Sequence, residues 1–322
     1  MMSLTEMSNS PYIVRNYQPE DFDKLLMLKA EAEKLEPTGR AVLSQVITEN
    51  LGRPNYSPGK DLFLVEMAGK SVGYLDMAPE LAIGRVILDC WVHPEYRKRG
   101  LATTLLAYAL VRAKELGAKV AHVNVMEDDV AGGKILSRLG FSCVRRFLEL
   151  RLEIAMVRWQ NAGQSSIMHQ HLKRGDEEAL VRIQNRSFGG TWGYNPNNVE
   201  EIIYKTNLSN HSPKDVVLTY DGDEVVGYCW VEITNQDETA EDQRKGRVYM
   251  MGTDPDYRGK GVGKKVLLAG LAHLKNRGAA IAELTVDSQN KVASALYESI
   301  GFKIQASSLW YEKTIDQGAG AR

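Results

Sequence analysis

The chain has 322 residues, of which 43% are hydrophobic and 25% charged, and its formal net charge is −1. This balance is ordinary for a globular protein and leaves no broad basic face for nucleic acid, so we expect no nucleic-acid partner. No apolar run reaches the roughly 18 residues of a membrane span, and residues 1–11 lack the apolar centre of a signal peptide, so we expect no membrane partner and a cytoplasmic location.

The first half of the chain alternates between strand-like and helix-like patterns. Period-two alternation predicts the strands, and apolar residues at helical spacing predict the helices. In chain order, we expect strands at residues 12–16, 62–67, 72–77, 86–92, 120–125 and 146–159, and helices at residues 19–33, 42–51, 101–116 and 131–139.

The second half repeats this order after a linker at residues 161–166 that is rich in Gln, Ser, Ala and Gly. A polar segment at residues 234–246 predicts a long hairpin loop. The fold class is therefore α/β (α+β), with two tandem domains at residues 1–160 and 167–322, each a mainly antiparallel mixed sheet flanked by helices. In this half we expect strands at residues 168–173, 215–220, 225–233, 248–253, 281–286 and 307–314, and helices at residues 177–188, 199–205, 262–277 and 292–299.

The three cysteines, Cys90, Cys143 and Cys229, all fall within strand-like runs. Their spacing matches neither a metal site nor a disulfide pair, so we expect buried core residues in a reducing compartment and no metal.

A repeated motif supports the duplication. The segment from Asp254 to Lys265 reads DPDYRGKGVGKK, and residues 93–104 read HPEYRKRGLATT, at an offset of 161 positions. A period near half the chain indicates duplicated domains and excludes a solenoid. The same offset pairs Gly140 with Gly301, so the two copies stay in register downstream.

Each copy of the motif joins a strand to a helix and suits the binding of a pyrophosphate. Gly261 and Gly263 allow the backbone to turn tightly and to approach a ligand, while Arg258, Lys260 and Lys264 place positive charge at the start of the helix. The spacing fails the nucleotide-triphosphate P-loop pattern at both ends, and it also fails the dinucleotide fingerprint.

The remaining pattern, Arg-x-x-Gly-x-Gly/Ala followed by a strand, a helix and Gly-Phe, resembles the GNAT superfamily of acyl-CoA-dependent acyltransferases. The resemblance implies acetyl-CoA between two splayed strands, with its pyrophosphate on the backbone amides of the loop and a backbone N–H polarising the thioester. In the second half, it implies cofactor contacts from Met251, Gly252, Thr253, Arg258, Gly259, Lys260, Gly261, Val262, Gly263, Lys264 and Asn290. The matching contacts of the first half are Val92, Arg97, Lys98, Arg99, Gly100, Leu101 and Ala102.

The resemblance also implies a general acid at Tyr297, which would protonate the departing thiolate; the alternative is that this tyrosine only packs in the core. Many relatives carry a Glu near the start of the strand before the loop, where this chain has Arg247. Glu232 is our first choice for the general base, ahead of Asp287 acting through water. The alternative is that Glu232 is a solvated strand residue without a catalytic role.

The acceptor pocket is expected to draw on residues 188–197, a segment rich in Gly and aromatic residues. Trp192 and Tyr194 are candidates for substrate binding, and they could equally anchor this segment to the domain.

In the first half, Leu136 occupies the position of Tyr297, and Asp129 that of Asn290. We therefore expect this copy to be catalytically degenerate even where it binds acetyl-CoA. The predicted function is transfer of an acetyl group from acetyl-CoA to a primary amine of a small molecule, by direct attack in the second domain. The alternative is a non-enzymatic acetyl-CoA sensor.

An intact second copy beside a defective first one, together with the closing segment at residues 309–313, is similar to the mycothiol synthase family. That family acetylates the cysteinyl amine of a pseudodisaccharide. Arg247 leaves another small amine open as the acceptor, and the oligomeric state is also left open.

Overall fold

The computed structural model describes residues 11–37, 42–159, 166–234 and 244–316. Among these, the residues within Met1–Asn124, Ala131–Cys143 and Tyr311–Arg322 form one compact unit, called unit 1, and those within Val125–Val130 and Val144–Trp310 form a second, called unit 2. Each unit thus contains residues from both halves of the sequence. Residues 161–165 of the predicted linker and 235–243 of the predicted hairpin loop lie outside the described residues.

Unit 1 contains a five-stranded arrangement in the order β1-β2-β3-β4-β5. Neighbouring strands are antiparallel from β1 to β4, and β4 pairs with β5 in parallel. The strands are β1 (Tyr12–Asn16), β2 (Leu62–Met67), β3 (Lys70–Glu80), β4 (Arg85–Val92) and β5 (Val120–Met126), and the helices are α1 (Phe22–Leu35), α2 (Ser44–Leu51), α3 (Pro58–Asp61), α4 (Leu101–Glu115) and α5 (Val130–Arg138).

Unit 2 repeats this arrangement in the order β6-β11-β10-β9-β8-β7. Only β10 and β11 pair in parallel; the pairs β11–β6, β10–β9, β9–β8 and β8–β7 are antiparallel. The strands are β6 (Ser142–Glu153), β7 (Ile167–His171), β8 (Val216–Asp221), β9 (Glu224–Thr234), β10 (Lys245–Thr253), β11 (Ile281–Asp287) and β12 (Lys303–Thr314). Strand β12 belongs to unit 2 as far as Trp310. The helices are α6 (Glu177–Phe188), α7 (Val199–Thr206), α8 (Val262–Asn276) and α9 (Lys291–Ile300).

Alternation along β9 gives the sheet of unit 2 two buried faces. Cys229 and Val231 pack in the cluster that contains α8 and α9 side chains, whereas Tyr228 and Trp230 pack in the cluster that contains α6 and α7 side chains. Successive side chains of a strand point to opposite faces, so one strand fills both cores. Full burial of an aliphatic side chain such as Val231 contributes about 1.5–3 kcal/mol. We call these the α8 face and the α6 face.

The predicted elements are confirmed in type and order, and the differences lie mainly at their ends. The short helix α3 was not expected from the sequence. Strand β6 ends at Glu153, before the predicted residue 159, because residues Ile154–Met156 form a 3-10 turn. Strand β12 begins four residues earlier than predicted, because Gly301 ends α9 in the left-handed conformation (φ +112°) and the chain turns directly into the strand.

The prediction of three buried cysteines was wrong for two of them. Cys229 is buried, but Cys90 and Cys143 are exposed. Cys90 lies on β4 beyond the last residue that pairs with β5, in the part of the strand where the two strands have separated. Among the described helices, none combines the length and apolarity that crossing a bilayer requires.

Candidate active site

The parallel strands β10 and β11 separate after three paired residues. Their register runs from Lys245 opposite Ile281 to Arg247 opposite Glu283, yet β10 continues to Thr253 and β11 to Asp287. The unpaired portions leave a gap in the sheet between the two strands. Strands β4 and β5 of unit 1 separate in the same way after Ile87 opposite His122.

A β-bulge in β10 distinguishes the gap of unit 2 from that of unit 1. The pairing of β10 with β9 shifts between Val248 and Met250, which leaves Tyr249 as an extra residue. A bulge bends the strand and re-aims its backbone groups. In unit 1, β4 pairs with β3 without a shift over its whole length. The sequence carried no signal for this difference.

The loop after β10 is held in place by its own side chains. The Asp254 carboxylate accepts the backbone N–H of Asp256 at 3.0 Å and is bound by the Arg186 guanidinium from α6 at 2.6 Å. The guanidinium pairing and the backbone hydrogen bond keep the pKa of Asp254 below its usual range. The Arg258 side chain donates to the Ser187 carbonyl at 2.6 Å. Arg258 therefore fixes the loop against α6, a role that its basic character alone did not reveal.

The backbone after Arg258 has the properties of an anion site. Gly259 and Gly261 adopt φ values of +74° and +78°, in the left-handed region that glycine tolerates best. A side chain built on either glycine would meet no atom within 4 Å, so the space beside them is open. The first helical hydrogen bond runs from the Lys265 N–H to the Gly261 carbonyl.

Four backbone N–H groups at the start of α8 have no acceptor within the described ranges; they belong to residues 261–264. Free N–H groups and the helix dipole attract anions, and Lys260 and Lys264 add positive charge. This arrangement suits the pyrophosphate of acetyl-CoA, as predicted from the sequence.

Gly252 is required by packing inside unit 2. A Cβ at this position would lie 2.6 Å from the Ser187 Cβ and 2.8 Å from the Tyr228 Cε1. The missing side chain thus lets α6 approach β10, a reason that the sequence did not suggest. The expectation that Gly263 makes the tight turn was wrong, because this residue lies in the first turn of α8 and has no left-handed φ. A Cβ added there would stand 3.4 Å from the Thr253 hydroxyl, which is an ordinary contact distance.

Tyr297 lies on α9 and packs into the α8-face core, where it is 8% exposed. Its ring meets Phe302 edge-on with centroids 5.9 Å apart. Burial raises the pKa of its hydroxyl, so the group stays protonated at neutral pH and retains a proton to give. The Asn290 side chain accepts the Ala293 N–H at 3.1 Å, and this capping bond fixes the start of the helix.

Glu232 lies on the α6 face and is 18% exposed. Burial raises the pKa of its carboxyl to about 7, while the nearby Arg247 guanidinium opposes the shift. The His211 Nε2 lies 3.6 Å from one oxygen of the Glu232 carboxylate, and Arg247 on β10 is the cross-strand neighbour of Glu232. A half-buried carboxyl that titrates near neutrality suits a general base.

Asp287 is occupied by other partners. Its carboxylate lies 3.8 Å from the Arg145 guanidinium and accepts the Gln289 N–H at 2.9 Å. These contacts order the turn before α9, so Asp287 is less available as a base than Glu232.

The segment at residues 188–197 connects α6 to α7. Tyr194 stacks on Phe188 with centroids 5.2 Å apart, and its hydroxyl donates to the Asn185 Oδ1 at 2.7 Å. These contacts correspond to an anchoring role. Trp192 instead joins Phe147 and Trp310 in a partly exposed aromatic cluster, with ring centroids 5.9 Å apart in each of its two contacts.

The matching loop in unit 1 keeps the backbone shape but not the whole site. Gly100 adopts φ +81°, and Lys98 takes φ +62° where unit 2 has a glycine. The Arg97 guanidinium is paired with Glu36, and its Nε donates to the Val92 carbonyl at 2.8 Å. The helix that follows β5 presents buried Leu136 in place of tyrosine. The remaining predicted residues, Arg99, Leu101 and Ala102, lie in this loop or in the first turn of α4.

The model of the acetyltransferase (GNAT) family matches residues 27–141 and 177–302, which together make up most of the chain and fall on both copies of the repeat. The chain belongs to the acetyltransferase (GNAT) family. It is therefore an N-acetyltransferase of the GNAT type, and the resemblance drawn from the loop and the Gly-Phe pattern is confirmed.

Among curated relatives, the mycothiol acetyltransferase of Actinosynnema mirum is 28% identical over 300 residues, which cover 91% of this chain and 96% of the relative. The mycothiol acetyltransferase of Thermobispora bispora is 30% identical over 228 residues, 69% of this chain and 74% of the relative.

Solved structures show the same fold. A GCN5-related N-acetyltransferase from Sphaerobacter thermophilus has a TM-score of 0.71 at 20% identity and covers 95% of this chain and 96% of its own. A tandem GNAT protein from the clavulanic acid biosynthesis pathway has a TM-score of 0.70 at 16% identity and covers 96% and 99%. The tandem GNAT fold expected from the sequence is confirmed. Within the described ranges, no group of three or more His, Cys, Asp or Glu side chains could hold a metal ion.

Proposed function

We propose that this acetyltransferase moves the acetyl group of acetyl-CoA to the primary amine of a small molecule, by direct attack in unit 2. One observation carries the proposal. Unit 2 combines a bulge in β10, a loop with free N–H groups, Tyr297 on α9 and Glu232 on β9, whereas unit 1 has the loop without the bulge or the tyrosine. We also propose that the chain contains two copies of the GNAT domain, at residues 1–160 and 167–322.

The proposed binding site for acetyl-CoA runs along β10 to the start of α8. The N–H groups of residues 261–264 bind the pyrophosphate, and the edge of β10 at Met251, Gly252 and Thr253 binds the extended pantetheine arm as an added strand does. Asn290 contributes by holding the start of α9. When bound, acetyl-CoA supplies an activated thioester carbonyl.

The proposed chemistry divides between the two faces of the sheet. Glu232, on the α6 face, takes the proton from the acceptor amine, and a backbone N–H near the bulge stabilises the negative charge that develops on the carbonyl oxygen. One such donor contributes about 2.7–4 kcal/mol in measured cases. Tyr297, on the α8 face, donates its hydroxyl proton to the departing sulfur.

The acceptor is proposed to be a small amine. The relatives are mycothiol acetyltransferases by name, so the amine precursor of mycothiol belongs in any panel of acceptors. Trp192 is the candidate contact for the acceptor, whereas Tyr194 is proposed as its anchor in the segment between α6 and α7.

A matched pair of substitutions tests which loop serves the reaction. Gly261 and Gly100 have nearly the same φ and the same open surroundings, so Gly261→Glu and Gly100→Glu carry equal backbone strain. A carboxylate in the unit 2 loop repels the phosphates, and we expect Gly261→Glu to raise the KM for acetyl-CoA at least tenfold. Gly100→Glu should leave that KM within about twofold of wild type.

The measurement is amine-dependent release of the CoA thiol by the full-length protein. Equal effects of the two substitutions would contradict the assignment to unit 2. Saturable binding of acetyl-CoA without release, over a broad amine panel, would instead support the sensor function and contradict the enzyme.

A further inference from the structure

Arg247 stands at the narrow end of the gap in unit 2. It is the last residue of β10 that pairs with β11, and its guanidinium Nη2 donates to the Thr285 Oγ1 at 2.8 Å across the start of the gap. The side chain is exposed, and within the described ranges it forms no ion pair. A guanidinium offers five donors, of which this contact uses one.

Arg247 is too far along β10 to serve the phosphates of acetyl-CoA. Thr253, where the phosphate loop begins, lies six positions further along the strand. An extended strand rises about 3.3 Å per residue, so the two residues are roughly 20 Å apart. The bulge at Tyr249 lies between the two. Arg247 is therefore on the acceptor side of the proposed transfer point.

The charges around Arg247 are mixed. Glu232 is its neighbour across β9 and Glu283 its neighbour across β11, while Glu149 and Arg151 lie on the same face of the adjoining strand β6. None of these five side chains pairs with another within the described ranges, since no N–O distance among them falls within 4.0 Å. Groups of both signs that do not pair with one another suit a ligand that carries both signs.

We propose that Arg247 binds the carboxylate of a zwitterionic acceptor whose amine faces Glu232, which makes the acceptor an amino acid or a close relative. Directly opposed strand residues have Cβ atoms about 4.5–5.5 Å apart, which fits an amine and a carboxylate separated by a few bonds. A guanidinium binds a carboxylate through two parallel hydrogen bonds. This inference rests on the proposed acetyl transfer in unit 2.

The test compares each α-amino acid with its amide and with its decarboxylated amine, by quantifying the N-acetylated product. We expect the wild-type kcat/KM to be at least about tenfold higher for the carboxylate-bearing member of the preferred set. Arg247→Gln should raise the KM for that member about 10- to 100-fold and leave its kcat within about threefold. For the amide and the amine, kcat/KM should stay within about twofold.

Two further variants separate recognition from structure. Thr285→Val removes the partner of Arg247 while keeping the guanidinium, and it should preserve the preference for a carboxylate. Arg182→Gln removes an exposed charge on α6 and should change nothing. Two results would contradict carboxylate binding by Arg247 while leaving acetyl transfer intact: neutral amines that are acetylated as efficiently as amino acids, or an Arg247→Gln variant in which kcat/KM falls equally for every acceptor. If Thr285→Val abolishes the preference for a carboxylate, the role of Arg247 is to bridge β10 and β11, and it does not bind the acceptor. If no amine is acetylated at all, the proposed function fails and this inference fails with it.

Discussion

Replacing Tyr297 with Phe should lower kcat by about 10²–10⁴-fold, the usual contribution of a positioned general acid, while the KM for acetyl-CoA stays within about twofold. The substitution removes only the hydroxyl, so the edge-on contact with Phe302 and the packing of the ring are preserved. Burial keeps that hydroxyl protonated across the neutral range, so its proton is available for the leaving thiolate. Steady-state kinetics of thiol release measure both constants.

Tyr220→Phe is the matched control, because Tyr220 is a partly buried strand tyrosine of the same unit whose pKa is also raised by burial. It should retain wild-type kcat. Full turnover by Tyr297→Phe, with unchanged thermal stability, would show that Tyr297 packs in the core and has no part in proton transfer.

Glu232→Gln should lower kcat about 10²-fold and alter the pH profile. The base works only when deprotonated, so wild-type activity should fall as pH drops through about 7, the pKa to which burial raises this carboxyl. Without the base, only acceptor amine that is already neutral reacts. The break in the profile of the variant should then move up to the pKa of the acceptor amine itself, about 7.7–8.0 for an α-amino group and about 10.4 for a lysine-like amine.

The same substitution should stabilise the fold at high pH. The folded-state pKa of Glu232 lies above the unfolded value of 4.5, so burying its charge costs stability as pH rises from 4.5 through about 7. Glu232→Gln removes that cost, which is on the order of 3 kcal/mol, since each pKa unit is worth about 1.36 kcal/mol. The gain in melting temperature should be complete at pH 8 and absent below pH 4.5.

Glu178→Gln, an exposed carboxylate at the start of α6, should show neither effect. A pH break that stays near 7 in Glu232→Gln would assign the titration to another group. A variant that is less stable than wild type at pH 8 would contradict the buried charge.

The sequence predicted the elements of the site better than its architecture. The order of strands and helices, the glycine loop and the position of Tyr297 followed from periodicity, from glycine chemistry and from the family pattern. The loop could be located because the left-handed φ of Gly259 and Gly261 leaves a local mark in the sequence.

Long-range contacts leave no such mark. The pairing of β11 with β6, the bulge at Tyr249 and the clamp of Arg186 on Asp254 join residues that are far apart or depend on strand register. The reason for Gly252 was likewise hidden, because the helix that it accommodates begins 75 positions earlier in the sequence, at Glu177. Burial raises the pKa of Glu232 and the Arg247 guanidinium partly opposes the shift. Neither effect is visible in the sequence, which could propose this residue without distinguishing it from a solvated one.

We propose that the acetyl-CoA turned over by this protein lies on the loop of unit 2. Hydrogen–deuterium exchange of the full chain, followed over a series of acetyl-CoA concentrations, tests it directly, because the N–H groups of residues 261–264 have no protein acceptor within the described ranges. We expect slowed exchange in peptides covering residues 258–264, with half-saturation at the kinetic KM for acetyl-CoA. Slowed exchange that tracks the KM at residues 97–102, and not at 258–264, would contradict it.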